Sequence, residues 1–290
     1  MEALLHQIFS GLATGCIYGS IALALVMIYQ STHHINFAQG ELAMFSTYIA
    51  WFLMEQGWPY WAAFFATLVI SFSGGVLIQR IILRPVEKSP ILTNVIVFIA
   101  LVVIVNSMAG WIFDFTIKAF PSPFPQKSAL ATRFFSAHEM GSAMVMLCVL
   151  GALFVFLRFT PFGLAMRAAA QNPESARLVG IRVSWMLAMG WGMAATIGAV
   201  AGMMVAPVVY LDPNMMAGIL IYGFAAALLG GIDHPGGAVA GGLIVGVLEN
   251  LLGAYVIGTE LKLSVALVLI VGTLTLKPNG LFGKNVVTRV

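Results

Sequence analysis

The sequence predicts an all-α integral membrane protein, a polytopic bundle of about nine transmembrane helices within a range of roughly eight to ten. Three observations lead to this fold class. Of the 290 residues, 60% are hydrophobic and only 9% are charged, whereas an average soluble domain is about half apolar and a quarter charged. The mean hydropathy is +0.98. Apolar runs of about 20 residues, enough to cross about 30 Å of hydrocarbon as a helix, recur along the whole chain.

The same composition excludes several classes of protein. A cytosolic enzyme and a disordered chain are excluded by the hydropathy, and a nucleic-acid-binding protein by a net charge of only +3 without a basic cluster. Cys16 and Cys148 both lie inside apolar runs, so neither a disulfide framework nor a CxxC metal site is available. The first apolar run has no preceding Lys or Arg and no A-x-A-like cleavage site, which favours a retained helix over a signal peptide.

The predicted helices follow from the apolar runs, each bounded by charged or turn residues. The clear runs are residues 6–29, 60–79, 91–113, 141–157, 185–210, 237–255 and 263–276. Two further runs, 41–54 and 217–232, are weaker, because the first is short and the second ends in a glycine-rich sequence. Either of these two can instead form a broken or re-entrant segment.

The predicted orientation follows from the positions of Lys and Arg, because positively charged loops stay in the cytoplasm. Nine crossings with the N-terminus outside give a cytoplasmic C-terminus, a cytoplasmic loop 158–184 and an external loop 114–138. The basic residues placed inside are Arg80, Arg84, Lys88, Arg158, Arg167, Arg177, Arg182, Lys277, Lys284 and Arg289. Those left outside are Lys118, Lys127, Arg133 and Lys262. The external loop contains Pro121, Pro123 and Pro125 and is expected to be extended.

Glycines at helical spacing predict close helix packing. Gly11, Gly15 and Gly19 recur every four residues, as do the pairs Gly198 and Gly202, Gly237 and Gly241, and Gly242 and Gly246. Small residues let helix backbones approach each other in lipid, where close packing supplies much of the association energy.

The cytoplasmic loop contains the signals of a short helix. Asn172 is a suitable N-cap, Pro173 suits the first helical position, and Glu174 complements the positive end of the helix dipole. Gly180 can adopt the left-handed conformation that ends a helix. We therefore expect a helix of about two turns, from Pro173 to Val179. A helix this short is unstable alone in water and must dock on something.

At this point the sequence resembles a known family. Residues 163–181, G-L-A-M-R-A-A-A-Q-N-P-E-S-A-R-L-V-G-I, resemble the coupling loop of ABC importer permeases for branched-chain amino acids. Residues 36–42 resemble that family's N-F-A-x-G-E segment, and residues 230–241 resemble its glycine-rich motif. The tail 277–283, K-P-N-G-L-F-G, is similar to its R-P-x-G-L-F-G ending. These blocks cover almost the whole chain in order, and its length points to the LivH-type subunit.

The resemblance implies a pore subunit formed by one permease domain over residues 1–290. Its implied partners are a second, LivM-like permease subunit, two ATP-binding subunits and a periplasmic substrate-binding protein, in the bacterial inner membrane. No cofactor is expected on this chain and ATP is used by the partner subunits, because Gly283-Lys284 lacks the rest of a phosphate-binding loop. The residues expected to couple the chain to the ATPase are Arg167, Asn172, Pro173, Glu174, Ala176, Arg177, Leu178 and Gly180.

Polar residues inside the predicted membrane segments are candidates for the translocation path, since a charge there costs about 2.5–3.5 kcal/mol on insertion scales. These residues are Asn36, Gln39, Gly40, Glu41, Glu249 and Asn250. Alternatively, Glu41 caps the next helix at the cytoplasmic interface, and Glu249 and Asn250 bond neighbouring helices. The glycines of the third block can act as hinges or as packing positions: Gly230, Gly231, Gly236, Gly237 and Gly241.

Other functions remain open at this point. A permease of the same family could carry another small polar substrate such as urea or an amide. An ion-coupled secondary transporter would need ionisable relays near mid-span, and the apolar runs contain almost none. An intramembrane enzyme would need a paired acid and base or a histidine-rich metal cluster. His33 and His34 lack the i+4 partner of an HExxH site, so no metal is expected.

Overall fold

The computed structural model describes residues 2–32, 34–87, 89–124 and 136–283. Several residues of the sequence predictions lie outside this part of the chain: His33, Lys88, Pro125, Lys127, Arg133, Lys284 and Arg289. The described residues form a helical bundle, and all the apolar runs of the sequence are helical in it.

The helices run in the following order along the chain. They are α1 (Glu2–Thr32), α2 (Gln39–Glu55), α3 (Tyr60–Ile78), α4 (Arg84–Val86), α5 (Ile91–Phe113), α6 (Ala137–Phe159), α7 (Pro161–Gln171), α8 (Pro173–Leu178), α9 (Val183–Val209), α10 (Ala217–Gly230), α11 (Pro235–Leu252) and α12 (Lys262–Leu276). A π-helical turn, Gln79–Leu83, joins α3 to α4, and a second one, Gly253–Ile257, extends α11. A 3-10 turn, Thr259–Leu261, leads into α12.

Six helical segments in the described ranges are long and apolar enough to cross a membrane. They are Glu2–Gln30, Tyr60–Val86, Ile91–Phe113, Ala137–Phe159, Val183–Val209 and Pro235–Ile257. Helices α10 and α12 are also apolar but have only 14 and 15 residues, and α2 has 17. At 1.5 Å per residue α10 is about 21 Å long, shorter than the hydrocarbon layer.

Glycine packing between α1 and α11 forms the centre of the bundle. The two helices are antiparallel, and a Cβ atom at Gly11 would lie 2.8 Å from Cα of Val247, while one at Gly15 would lie 2.8 Å from Cα of Leu243. A Cβ at Gly246 would lie 2.5 Å from Cα of Gly15. Only glycine permits backbones to approach this closely. The predicted packing use of these glycines is therefore confirmed.

Two non-helical segments have residues that are buried in the bundle. The first joins α1 to α2 and includes the fully buried residues Asn36 and Ala38, and the second joins α9 to α10 and includes the fully buried Leu211. Irregular backbone at membrane depth is tolerated where protein surrounds it or where it lines a cavity. A Cβ at Gly40, the second residue of α2, would lie 3.3 Å from the Leu220 side chain of α10. Helices α2 and α10 therefore begin next to each other within the bundle.

Candidate functional site

The segment 158–184, which the sequence predicts to be a cytoplasmic loop, is more helical than expected. We expected one short helix in a loop, but the segment also contains α7, an 11-residue helix. Thr160 caps it by accepting a hydrogen bond of 3.0 Å from the N–H of Gly163, and Pro161 occupies its first turn. The signal for this helix is the Thr-Pro pair, an N-cap followed by a residue with helical φ.

Helix α8 forms where the sequence predicts a short helix. The Asn172 side chain accepts a hydrogen bond of 2.9 Å from the N–H of Ser175, so it is the N-cap. Helix α8 ends at Leu178, and Gly180 follows with a φ of 84°. The N–H of Ile181 then bonds the carbonyl of Ala176 at 3.0 Å, which closes the end of the helix.

One face of α8 is fixed to the bundle, and its other residues are exposed in the part of the chain that the structure describes. Ala176 is buried with Ala169 of α7 and with Val183 and Leu187 of α9 in a small apolar cluster. Leu178, by contrast, is 89% exposed. Glu174, Arg177, Val179 and Gly180 are also exposed, and Arg167 of α7 is exposed at an open cleft that Gln30 and Asp233 line as well.

The segment between α1 and α2 is held by its own amides. Asn36 accepts a hydrogen bond from the N–H of Ala38 at 3.0 Å and donates one to the side chain of Gln39 at 3.2 Å. Gln39 in turn donates to the carbonyl of Ala194 at 2.9 Å. Both amide side chains are fully buried. Asn36 and Gln39 therefore fix the start of α2 against α9, at a point about 16 Å from the first residue of α9.

Glu41 lies in the first turn of α2 but does not cap it. The N–H of Ala38, which a capping carboxylate would bind, is already donated to Asn36. Glu41 is half-buried and accepts a hydrogen bond of 3.3 Å from the side-chain amide of Asn106 in α5. The alternative that Glu41 caps the helix is therefore wrong.

Asn106 is a polar residue that the sequence predictions missed. Its amide nitrogen also lies 2.9 Å from the carbonyl oxygen of Pro213 and 3.3 Å from the side-chain oxygen of Asn214. Both residues belong to the non-helical segment before α10. The available signal was an Asn in the middle of the apolar run 91–113, where polar side chains form hydrogen bonds between membrane helices.

Glu249 and Asn250 are not part of this cluster. Glu249 accepts a hydrogen bond of 2.8 Å from the hydroxyl of Tyr18 and pairs with Lys262 at 3.4 Å. Lys262 also donates to the side chain of Asn250 at 3.0 Å. Both acceptor residues are buried, at 6% and 8% exposure. These contacts join α1, α11 and α12, in agreement with the alternative prediction that Glu249 and Asn250 bond neighbouring helices.

The glycine-rich block is tightly packed at the turn between α10 and α11. Gly231 has a φ of 108°, and a Cβ there would lie 2.8 Å from the nitrogen of Gly283. Gly237 packs directly on the backbone of Gly230, and Gly241 packs on α10, whereas Gly236 is exposed beside the ring of His234. The tail is bound to this turn, since the N–H of Leu281 donates to the carbonyl of Leu229 at 2.7 Å.

Among the described residues, no group of three His, Cys, Asp or Glu side chains is placed to hold a metal ion. His34 lies beside the carbonyl of Thr32 and within 3.3 Å of the Asn94 amide. His234 accepts from the N–H of Gly237 at 2.8 Å and so caps α11.

Comparisons with known proteins agree with this architecture. The family model described as branched-chain amino acid transport system, permease component, matches residues 7–274. The permease protein LivH of the high-affinity branched-chain amino acid transport system of Escherichia coli K12 is 32% identical, over 99% of this chain and 97% of the relative. The permease protein BraD of the corresponding system of Pseudomonas aeruginosa is 30% identical, over 99% and 98%.

A likeness to a solved structure concerns the fold alone. PsaBC from Streptococcus pneumoniae, in complex with Fab, superposes with a TM-score of 0.51 at 12% identity, over 93% of this chain and 91% of the other. The family match extends over most of the chain and includes α8 and both non-helical segments within the bundle. The chain is thus a multi-pass membrane transport subunit and belongs to the family of branched-chain amino acid transport permeases.

Proposed function

We propose that this chain is the pore subunit of an ATP-driven ABC importer that moves branched-chain or related amino acids into the cytoplasm. The relatives LivH and BraD are named as permeases of branched-chain amino acid systems, which supports the substrate class. The observation that carries the proposal is α8. It is a capped six-residue helix that Ala176 fixes to the bundle, and its last residue, Leu178, is 89% exposed.

The occupant we propose for this exposed face is an ATP-binding subunit. Two exposed aliphatic side chains, Leu178 and Val179, fit a hydrophobic groove, and the adjacent Glu174 and Arg177 can form polar contacts at its rim. The other coupling residues we propose, Arg167, Asn172, Pro173 and Gly180, shape and flank this helix. Two ATP-binding subunits hydrolyse ATP in the proposed assembly, because the chain has no phosphate-binding loop. A LivM-like second permease and a periplasmic binding protein complete it in the bacterial inner membrane.

We also propose nine crossings, with the N-terminus outside and the C-terminus in the cytoplasm. The contacts between helix ends support this arrangement. Gln30 at the end of α1 donates to the carbonyl of Asp233 at 2.8 Å, and Leu281 of the tail bonds Leu229, so these ends lie on one side with the Arg-rich segments. At the other side Ser10 donates to Glu139 at 2.6 Å. Helices α2, α10 and α12 are short crossings in this proposal.

The proposed path runs along the surface where α2 and α10 begin. Gly40 and Glu41 form its wall, and Asn36 and Gln39 hold that wall in place. Glu249 and Asn250 lie towards the outer end and act there through the contacts of α11 with α1 and α12. Exposed polar groups at membrane depth cannot face lipid without a large cost. This surface therefore faces water or the second permease.

A charge reversal tests the coupling role of α8. Glu174→Lys replaces a favourable charge at the start of α8 by an unfavourable one in the contact with the ATP-binding subunit. In the reconstituted importer we expect uptake of L-leucine to fall while ATP hydrolysis is no longer stimulated by loaded binding protein. Glu87→Lys, an exposed acidic residue outside α8 on the same predicted side, is the matched control and should leave both rates unchanged. Normal coupling in Glu174→Lys would contradict the proposal.

A further inference from the structure

The cluster around Asn106 contains more hydrogen-bond acceptors than donors. One amide nitrogen, which carries two N–H groups, lies within 3.3 Å of three oxygens, from Glu41, Pro213 and Asn214. A carboxylate offers about four acceptor positions, and among the described residues Glu41 receives this one shared donor. The cluster therefore has unused acceptor capacity on three separate elements of the fold.

The charge of Glu41 is also without a counter-ion in the part of the chain that the structure describes. Within the described ranges no Lys, Arg or His lies within ion-pair distance of its carboxylate, whereas the other membrane carboxylate, Glu249, pairs with Lys262. Asn106 lies about 22 Å from the start of α5 and about 10 Å from its end, so the cluster is at membrane depth. A charge at this depth is costly unless it is paired. A mobile cation that visits the site would supply the missing charge.

The cluster is partly accessible, because three of its four residues reach the surface of this chain and Pro213 is buried. Asn214 is exposed, and Glu41 and Asn106 are half-buried on the surface of this chain. An apolar wall adjoins it, since Phe37 is 38% exposed and its ring centroid lies 5.7 Å from that of Phe224. Leu220, one helical turn before Phe224, packs on Gly40, the residue next to Glu41. The surface thus combines a negatively charged, acceptor-rich point with aromatic and aliphatic side chains.

We propose that this cluster is a transient binding site for the ammonium group of the substrate amino acid during its passage. The three N–H donors of a primary ammonium match the carboxylate of Glu41, the carbonyl of Pro213 and the side-chain oxygen of Asn214. The aliphatic side chain of the same molecule lies along Phe37, Leu220 and Phe224. This inference rests on the proposed amino-acid transport, and it adds the chemical group that the path recognises.

Substitutions at Glu41 in the complete importer test the proposal. Glu41→Gln keeps the shape and removes the charge, and we expect uptake of L-leucine from loaded binding protein to fall about tenfold or more, since hydrogen bonds to a charged group are the strong ones. Glu41→Asp keeps the charge and should restore part of the uptake. Glu55→Gln, the same change at the exposed end of the same helix, should match the wild type. Equal uptake by Glu41→Gln and wild type would overturn the ammonium site.

A protection experiment reports on binding independently of the transport rate. A cysteine at the exposed Ala217, in a Cys148→Ala background, reacts with a small neutral maleimide, and the modified peptide is quantified by mass spectrometry. L-leucine and L-leucinamide, which both carry the ammonium, should slow the reaction, whereas 4-methylpentanoate, which lacks it, should not. Glu41→Gln should abolish the protection. Equal protection by 4-methylpentanoate, or protection that survives Glu41→Gln, would overturn the site.

These outcomes separate the two proposals. If the assembled wild-type importer takes up no branched-chain amino acid, the proposed function fails whatever Glu41 does. If the wild type takes up L-leucine and the Glu41 variants neither reduce uptake nor change the protection, the ammonium site fails and the proposed function stands.

Discussion

The hydroxyl of Tyr18 in α1 donates a hydrogen bond of 2.8 Å to the carboxylate of Glu249 in α11. The same carboxylate pairs with Lys262 at 3.4 Å, and the Tyr18 ring stacks on that of Tyr222 with centroids 4.7 Å apart. One buried acidic group thus connects four helices, which are α1, α10, α11 and α12. The ion pair is partly shielded, because the Lys262 side chain is 29% and the Glu249 side chain 7% exposed.

The first prediction concerns the stability of this network. Lys262→Met should lower the free energy of unfolding by about 1–3 kcal/mol, because it leaves a buried carboxylate without its cation. The double variant with Glu249→Gln should recover part of that loss, since the two residues act as a pair. Thermal midpoints of the purified chain in detergent measure both effects. Strictly additive losses would show that Lys262 and Glu249 are not coupled.

The second prediction concerns the packing of α1 on α11. In Gly246→Ala the new Cβ would lie 2.5 Å from Cα of Gly15, and neither backbone can move away without breaking the rest of the contact. We expect a loss of about 1–3 kcal/mol or more from overpacking. Gly74→Ala and Gly151→Ala are matched controls, because no atom lies within 4 Å of a Cβ at either position. They should keep or slightly raise the thermal midpoint, and a midpoint of Gly246→Ala equal to theirs would contradict the packing argument.

The sequence predicted most of the helices and the cap of α8, because both depend on local information. Each apolar run is helical, since a segment of this length and hydropathy must satisfy its backbone internally. Asn172 caps α8 through a bond to Ser175 three residues away. Helix α7 is not among the predicted helices although its signal, Thr160-Pro161, is equally local, because the apolar pattern that predicts the membrane helices is absent from segment 158–184.

The polar clusters could not be predicted, because their partners are far apart in sequence. Glu41 and Asn106 are separated by 65 positions, and Tyr18 and Glu249 by 231. Asn106 is one of several polar residues in the apolar run 91–113, and the sequence assigns Lys262 only to an external loop. The packing of α11 against α12 decides which intramembrane carboxylate has a cationic partner. The apolar pattern of these helices does not specify that packing.

The third prediction concerns the exposed end of α8. Leu178→Ala should weaken binding of the ATP-binding subunit about tenfold or more if that side chain is buried in the contact, since full burial of Leu contributes about 1.5–3 kcal/mol. Leu276→Ala is the control, because Leu276 is 88% exposed at the inner end of α12. Co-purification of the ATP-binding subunit with this chain measures the effect. Equal recovery with both variants would place the contact elsewhere.

The last prediction concerns orientation and the number of crossings. The contact of Gln30 with Asp233 and that of Leu281 with Leu229 place the end of α1, the turn between α10 and α11, and the tail on one side of the bundle. The Arg-rich segment 158–184 lies at this same predicted end, and the positive-inside rule assigns it to the cytoplasm.

Single cysteines in a Cys148→Ala background should therefore divide into two classes with a membrane-impermeant thiol reagent. Those at Thr116 and Gln56 should react in intact cells, and those at Ser175 and Asp233 only after the membrane is opened. Gln56 and Asp233 are the informative pair, because they lie at the ends of the short helices α2 and α10. If Gln56 and Asp233 fall into the same class, α2 does not cross and the count of nine is wrong, because Gln30 contacts Asp233 and so the end of α1 lies on the side of Asp233. If the reactivities of all four cysteines are exchanged, the orientation itself is reversed.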